Sequence, residues 1–153
     1  MTEWMNRPVN DPSFSKLIIP AQNVACVEDA NSAEHALLVL IKSRYSSIPV
    51  LSRKNQVVGT ISKTIILDHV LGLERIEVER LSTIQVGQIM SKEIHEIRLE
   101  DSLRKAIQLA IQTPYLCIVQ NGLFHGLVTR RALLAYIIEQ TKVPAPTRSA
   151  EKV

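Results

Sequence analysis

The sequence predicts an α/β (α+β) fold in which one β-α-β-β-α unit is written twice in tandem. Three observations carry this. The stretch VACVEDANSAEHALLVLIK (residues 24–42) can be laid on IHEIRLEDSLRKAIQLAIQ (94–112) without a gap, at a constant offset of 70. Val27 then meets Ile97, Asn31 meets Asp101 and Ala36 meets Ala106. Further on, Gly59 meets Gly126 at an offset of 67, so the second copy has a hairpin three residues shorter. That shorter hairpin turns on Asn121-Gly122, a pair suited to the positive φ angles of a two-residue turn.

The elements follow in order. Residues 1–14 and 141–153 carry prolines and no periodicity, and are expected to be mobile or ordered by a partner. Trp4 and Phe14 stand apart there: each reads either as packed on the body or as part of a partner surface. The first unit spans 15–72. It has a strand at Val24–Val27, a helix capped by Asn31 with Glu34 in a capping-box-like start, a strand at Ile48–Leu51, a turn at Ser52–Asn55 and a strand at Val57–Ile61. Ser62 caps a last helix that Gly72 stops. Residues 73–85 form a charged, helical connector in which Glu74, Glu77 and Glu79 alternate with Arg75 and Arg80. The second unit, 86–140, repeats the plan: a strand at Ile94–Ile97, a cap at Asp101, strands at Leu116–Val119 and Phe124–Val128, and a cap at Thr129. Ala36, Leu37, Leu40 and Ile41 share one helix face, as do Ala106, Ile107, Ala110 and Ile111.

Composition narrows the function. A chain of 153 residues with 46% hydrophobic and 22% charged residues can bury a core. A formal charge of +3 suits a local anion site better than a DNA-binding surface, which would carry a basic stripe with interleaved aromatics. The start has no apolar signal core, and no run is long enough to span a membrane, so a reduced cytoplasmic setting is expected. Cys26 and Cys117 lie in apolar strands and read as buried thiols. His35, His69, His95 and His125 have no metal-ligand spacing, and no metal site is expected. No nucleophile–base or phosphate-loop motif is present, and no enzymatic activity is expected.

The tandem order, with Ser46-Ser47-Ile48-Pro49-Val50 mid-unit and a glycine three residues before each Ser/Thr helix cap, resembles the CBS domain pair, or Bateman module, over residues 16–140. More narrowly, NVACV at 23–27, EHALLVL at 34–40, IPVL at 48–51, GLERIEVERL at 72–81 and TRR at 129–131 are similar to the stand-alone cyclic-di-AMP-binding CBS proteins of Gram-positive bacteria. The resemblance implies two sheets packed against four helices, a pseudo-twofold axis and two clefts. It also implies a homodimer, and as partner a Rel-type (p)ppGpp synthetase/hydrolase. One cleft would join Asn23, Val24, Ala25, Tyr45, Ser46, Ser47, Ile48 and Pro49 to Thr129, Arg130 and Arg131. The second, weaker cleft would join His95, Glu96 and Pro114-Tyr115-Leu116 to Ser62, Lys63 and Thr64.

The chemistry of the first set suits cyclic-di-AMP. Ile48 and Pro49 are apolar walls, backbone groups near Ala25 and Ser47 can read an adenine edge, and a helix start behind Thr129 attracts phosphate. Paired arginines in a first helical turn usually form a solvated face; in this pattern they read as phosphate contacts. Tyr45 reads either as a stacking platform or as a packing residue at a hairpin edge, and Ser46 and Ser47 either as ligand contacts or as turn caps. CBS repeats that bind mononucleotides often carry an aspartate three residues after the Ser/Thr, gripping the ribose. Ile65 and Ala132 stand there instead. That departure disfavours the alternative of an AMP, ADP or ATP sensor; a further alternative is an interaction adaptor with vestigial clefts. In the second cleft, Glu96 opposes phosphate and Lys63 offers one point charge.

Overall fold

The computed structural model describes residues 2–141; of the expected tail only Thr141 falls inside, and it closes the last helix. A 3-10 turn (Glu3–Asn6) and the one-turn helix α1 (Pro12–Ser15) precede β1 (Ile19–Pro20). A second 3-10 turn (Ala21–Asn23) leads into β2 (Val27–Glu28), α2 (Ala33–Ser43), β3 (Ser47–Leu51), β4 (Val57–Ser62) and α3 (Lys63–Val70). After a 3-10 turn (Val78–Arg80) and the short helix α4 (Val86–Ile89), the order recurs as β5 (Glu96–Ile97), α5 (Leu103–Ala110), β6 (Tyr115–Gln120), β7 (Leu123–Thr129) and α6 (Arg130–Thr141). Among the described residues no helix is long and apolar enough to cross a membrane.

Two sheets form, β2-β3-β4 and β1-β7-β6-β5. In each, a short leading strand runs parallel to the middle strand, which pairs antiparallel with its hairpin mate. The repeat persists in the register. Ser47 faces Ser62 as Tyr115 faces Thr129, and Val50 faces Gly59 as Ile118 faces Gly126. Both hairpins shift register at the next step, between Val50 and Leu51 and between Ile118 and Val119. Ser47 and Tyr115 therefore hold equivalent places, one in each repeat.

The recurring glycine has a steric cause. A Cβ on Gly59 would come within 2.5 Å of the Ser91 carbonyl oxygen, and one on Gly126 would collide with that of Ile19. Each glycine lets a segment from the other half of the chain lie against its strand: Ser91 bridges Thr60, and β1 pairs with β7 through Ile19 and Leu127. The Asn121-Gly122 turn has φ of 54° and 77°, the positive pair the sequence predicted.

The structure corrects four expectations. The helix caps sit one residue later than read: Ser32 and Ser102 accept from the backbone N–H of His35 and Lys105. Asn31 and Asp101 are occupied with the preceding corner, accepting from the N–H of Glu28 and Arg98. On the helix faces, Ile41 and Ile111 are exposed rather than buried, because the core lies under Ala33, Ala36 and Leu40 and their counterparts Leu103, Ala106 and Ala110.

The connector is helical only in the single 3-10 turn at Val78–Arg80. Gly72 donates to Arg75 O and Glu77 to Val70 O, so a tight turn replaces the expected helical path. The charged side chains still pair, Arg75 with Glu79 and Arg80 with Glu77, on an exposed surface.

The N-terminal segment is packed, not mobile. Val9 and Phe14 are fully buried and Trp4 is 8% exposed, all in the core of the second repeat. Trp4 and Phe14 meet Tyr136 of α6 edge-on. Backbone bonds from Val9 to Asp101 O, Asn10 to Leu99 O and Leu103 to Arg7 O fasten the segment down. The first repeat is fastened by the connector in the same pattern: Val86 to Asn31 O, Gly87 to Asp29 O and Ala33 to Ile84 O. The opening residues are thus the spatial counterpart of residues 81–87. Each repeat keeps its own core, and a third cluster of Leu51, Cys117 and Phe124 seals the seam between them, with Val24, Cys26 and Tyr115 packed against it.

Candidate functional site

A cleft opens between the two repeats. Its near wall is the loop after β1 and the start of β3: Asn23, Val24, Ala25, Tyr45, Ser46, Ser47, Ile48 and Pro49. Its far wall comes from the other repeat: Pro114, Tyr115, Leu127 and Thr129, with Ile19 of β1 alongside. No lining residue is acidic or basic. Tyr45 is 49% exposed at the rim. Thr129 ends β7 and caps α6, its Oγ1 accepting from the Ala132 N–H. That hydroxyl donates no hydrogen bond among the described residues.

The two arginines part company here. Arg130 is not in the lining: its Nε–H donates to the Ala110 carbonyl at 2.7 Å, and its side chain lies in a groove with Ile107, Ile111, Leu133, Leu134 and Ile137. The expectation that Arg130 faces the cleft is corrected. The backbone N–H of Arg130 bonds Pro114 O, which fixes the start of α6, and the helical turn then carries the side chain toward α5. Arg131 is exposed, does not line the cleft and makes no ion pair among the described residues.

The pseudo-twofold mate of this cleft is lined by Ser47, Thr60, Ser91, Glu93, His95, Gln112, Thr113, Pro114, Tyr115 and Cys117. Of the expected set it contains His95, Pro114 and Tyr115. Ser62, Lys63 and Thr64 are absent, because Thr60 and Ser91, joined by reciprocal backbone bonds of 2.9 Å, form that wall instead. Glu96 lines a separate polar hollow beside Arg98 and Asp101, and Leu116 is fully buried. The acid in this cleft is Glu93, whose Oε1 lies 3.7 Å from His95 Nε2. The repeat offset could have found it, since 70 carries Asn23 onto Glu93 and Ala25 onto His95. Ile19 and Leu127 had no such signal, because their place depends on β1 joining the other repeat's sheet.

Both cysteines are free, and neither is activated. Burial raises the Cys26 thiol, and burial, with Glu96 nearby, pushes Cys117 up to about 12. Burial likewise raises the Tyr115 phenol. His95 shares the second cleft with Ser47, Ser91 and Cys117; among the described residues its side chain hydrogen-bonds none of them, and no group of three His, Cys, Asp or Glu side chains converges.

The CBS domain model matches residues 15–72 and 86–139, the two repeats on either side of these clefts. The chain belongs to the CBS domain family. As a CBS pair it is similar to the cyclic di-AMP receptor B of Bacillus subtilis (strain 168), 35% identical over 125 residues that cover 81% of this chain and 85% of that one. Among solved structures it is similar to a CBS domain-containing protein from Bacillus anthracis, with 45% identity and a TM-score of 0.79, covering 90% of this chain and 97% of the other. It is also similar to the CbpB protein of Listeria monocytogenes in complex with c-di-AMP, with 37% identity and a TM-score of 0.76, covering 85% and 98%.

Proposed function

We propose that this CBS pair is a non-enzymatic, cytoplasmic receptor that binds cyclic-di-AMP in the first cleft and controls a partner protein through ligand-dependent association. The first cleft carries the reading. It is walled by both repeats, holds no carboxylate and ends at the capped start of a helix, in a chain similar to a cyclic di-AMP receptor and to a c-di-AMP complex. An adenine ring would lie on Ile48 and Pro49, its edge read by backbone groups at Ala25 and Ser47, with Tyr45 stacked on a base at the mouth. Phosphate would meet the Thr129 hydroxyl and the N–H groups opening α6. Arg131, exposed and without an ion pair among the described residues, would turn onto the anion as a forked donor.

The second cleft is the poorer site. Its Glu93 repels phosphate, and it lacks the expected Lys63. A homodimer is supported by apolar residues exposed at matching places on both repeats: Ile41 and Ile111, Leu67 and Leu134, Leu71 and Ile138. Leu134→Glu is expected to convert the dimer to monomer in light scattering without lowering the melting temperature of the monomer. The partner suggested by resemblance is a Rel-type (p)ppGpp synthetase/hydrolase, held by the unliganded form and released as ligand shifts the population.

Calorimetric titration with cyclic-di-AMP, AMP, ADP and ATP tests the reading. Cyclic-di-AMP is expected to bind tightest. Arg131→Ala is expected to weaken it about 10- to 100-fold, the worth of a charge-assisted hydrogen bond. Tighter binding of ATP or AMP would replace this reading with an adenylate sensor; no nucleotide binding beside intact partner binding would leave an adaptor.

A further inference from the structure

Tyr115 stands where the two clefts meet. It lines both, together with Ser47 and Pro114. Ser47 and Tyr115 are equivalent by register, so the partition between the clefts is a small hydroxyl from one repeat and a large phenol from the other. The phenol oxygen is shut off from solvent and has no hydrogen-bond partner; it lies near Ser47 without reaching bonding geometry. Nearly all buried polar groups are paired, and one left unpaired destabilises the fold that holds it. The backbone here is secured, since the Thr113 hydroxyl donates to Tyr115 O at 3.0 Å and β6 is paired on both sides. Only the side chain is unsatisfied, and only by its last atom.

We propose that Tyr115 is a gate residue of the first cleft: its ring closes the partition in the free protein, and its hydroxyl finds its missing hydrogen bond on a bound dinucleotide. Ligand entry turns the ring so that the hydroxyl faces the first cleft and meets an acceptor on the ligand, a purine ring nitrogen or a phosphoryl oxygen. The bound state gains a bond that the free state lacks, which is how an unpaired buried group becomes binding affinity.

This inference rests on the cyclic-di-AMP reading, and Tyr115→Phe tests it separately. The variant keeps the ring and removes only the oxygen. By calorimetry it is expected to bind cyclic-di-AMP about tenfold more weakly than the unsubstituted protein, the usual worth of one hydrogen bond. Without ligand it is expected to melt no lower than the unsubstituted protein, because the oxygen it loses had no partner. Unchanged affinity would overturn the proposal. So would a ligand-free melting temperature several degrees lower, which would mean the hydroxyl already has a partner inside the protein. Failure of the unsubstituted protein to bind cyclic-di-AMP would instead sink the functional reading, and the gate with it.

Discussion

Tyr45 shows how little a binding residue need do for stability. Half-exposed at the cleft rim, its side chain makes no hydrogen bond among the described residues, so Tyr45→Ala is expected to leave the melting temperature nearly unchanged. If the ring stacks on a base, the same change weakens cyclic-di-AMP by about 1–3 kcal/mol, or roughly 5- to 150-fold, measured by calorimetry. Cys117 is the opposite case, buried and silent in binding. Its thiol is held up to about 12, above its unfolded value, so the folded protein keeps a proton that the unfolded chain releases first. Its contribution is therefore constant below about pH 9 and is lost as pH climbs from there toward 12; the raised Tyr115 phenol adds to the same loss at higher pH. Urea midpoints from pH 8 to 11 are expected to fall, and to fall less steeply in Cys117→Val. Equal slopes would acquit the thiol.

At the scale of the element, what was legible in the sequence was what local chemistry decides. The Asn121-Gly122 hairpin, the paired hairpin strands and the constant offset between the copies all depend on residues close in the chain, and the structure has them, while the leading strands expected at Val24–Val27 and Ile94–Ile97 shrink to Val27–Glu28 and Glu96–Ile97. The caps at Ser62 and Thr129 were legible as placed, whereas those of α2 and α5 were legible only to within one residue, because Asn31-Ser32 and Asp101-Ser102 each offer two side chains able to cap. The structure gives the corner to the first and the helix to Ser32 and Ser102. Ser32→Ala is accordingly expected to cost about 1 kcal/mol in a urea titration. The connector misled because Arg75–Glu79 and Arg80–Glu77 spacings serve a turn as well as a helix. Arg130 misled for a finer reason. Successive helical residues point about 100° apart, so a sequence that locates a helix start does not say which of two neighbours faces the cleft. The contiguous wall at residues 45–49 was readable as one motif, whereas the wall opposite it required knowing how the repeats dock.

At the scale of the whole molecule, the segment least readable from sequence closes the second repeat. Residues 4–14 share with the connector one pattern of backbone bonds and a fully buried valine, Val9 matching Val86, but almost no other side chain. Backbone hydrogen bonds leave no trace in a sequence, so the equivalence becomes visible only in three dimensions. The consequence is testable through Phe14. It is fully buried and meets Tyr136 edge-on with ring centroids 5.2 Å apart, while Tyr136 also packs on Trp4 at 5.9 Å. Phe14→Ala is expected to cost about 3–5 kcal/mol, the range for a large buried aromatic. Trp4, the single tryptophan, should report it as a red-shifted emission at lower urea. Tyr136 lies on α6, whose first turn begins at Thr129 in the cleft wall, so loosening the segment is also expected to weaken ligand binding without touching any lining residue. Unaltered emission and an unaltered urea midpoint would show that the segment only rests on the core; a shifted midpoint with undiminished affinity would show that α6 holds its place at the cleft from the β7 side alone.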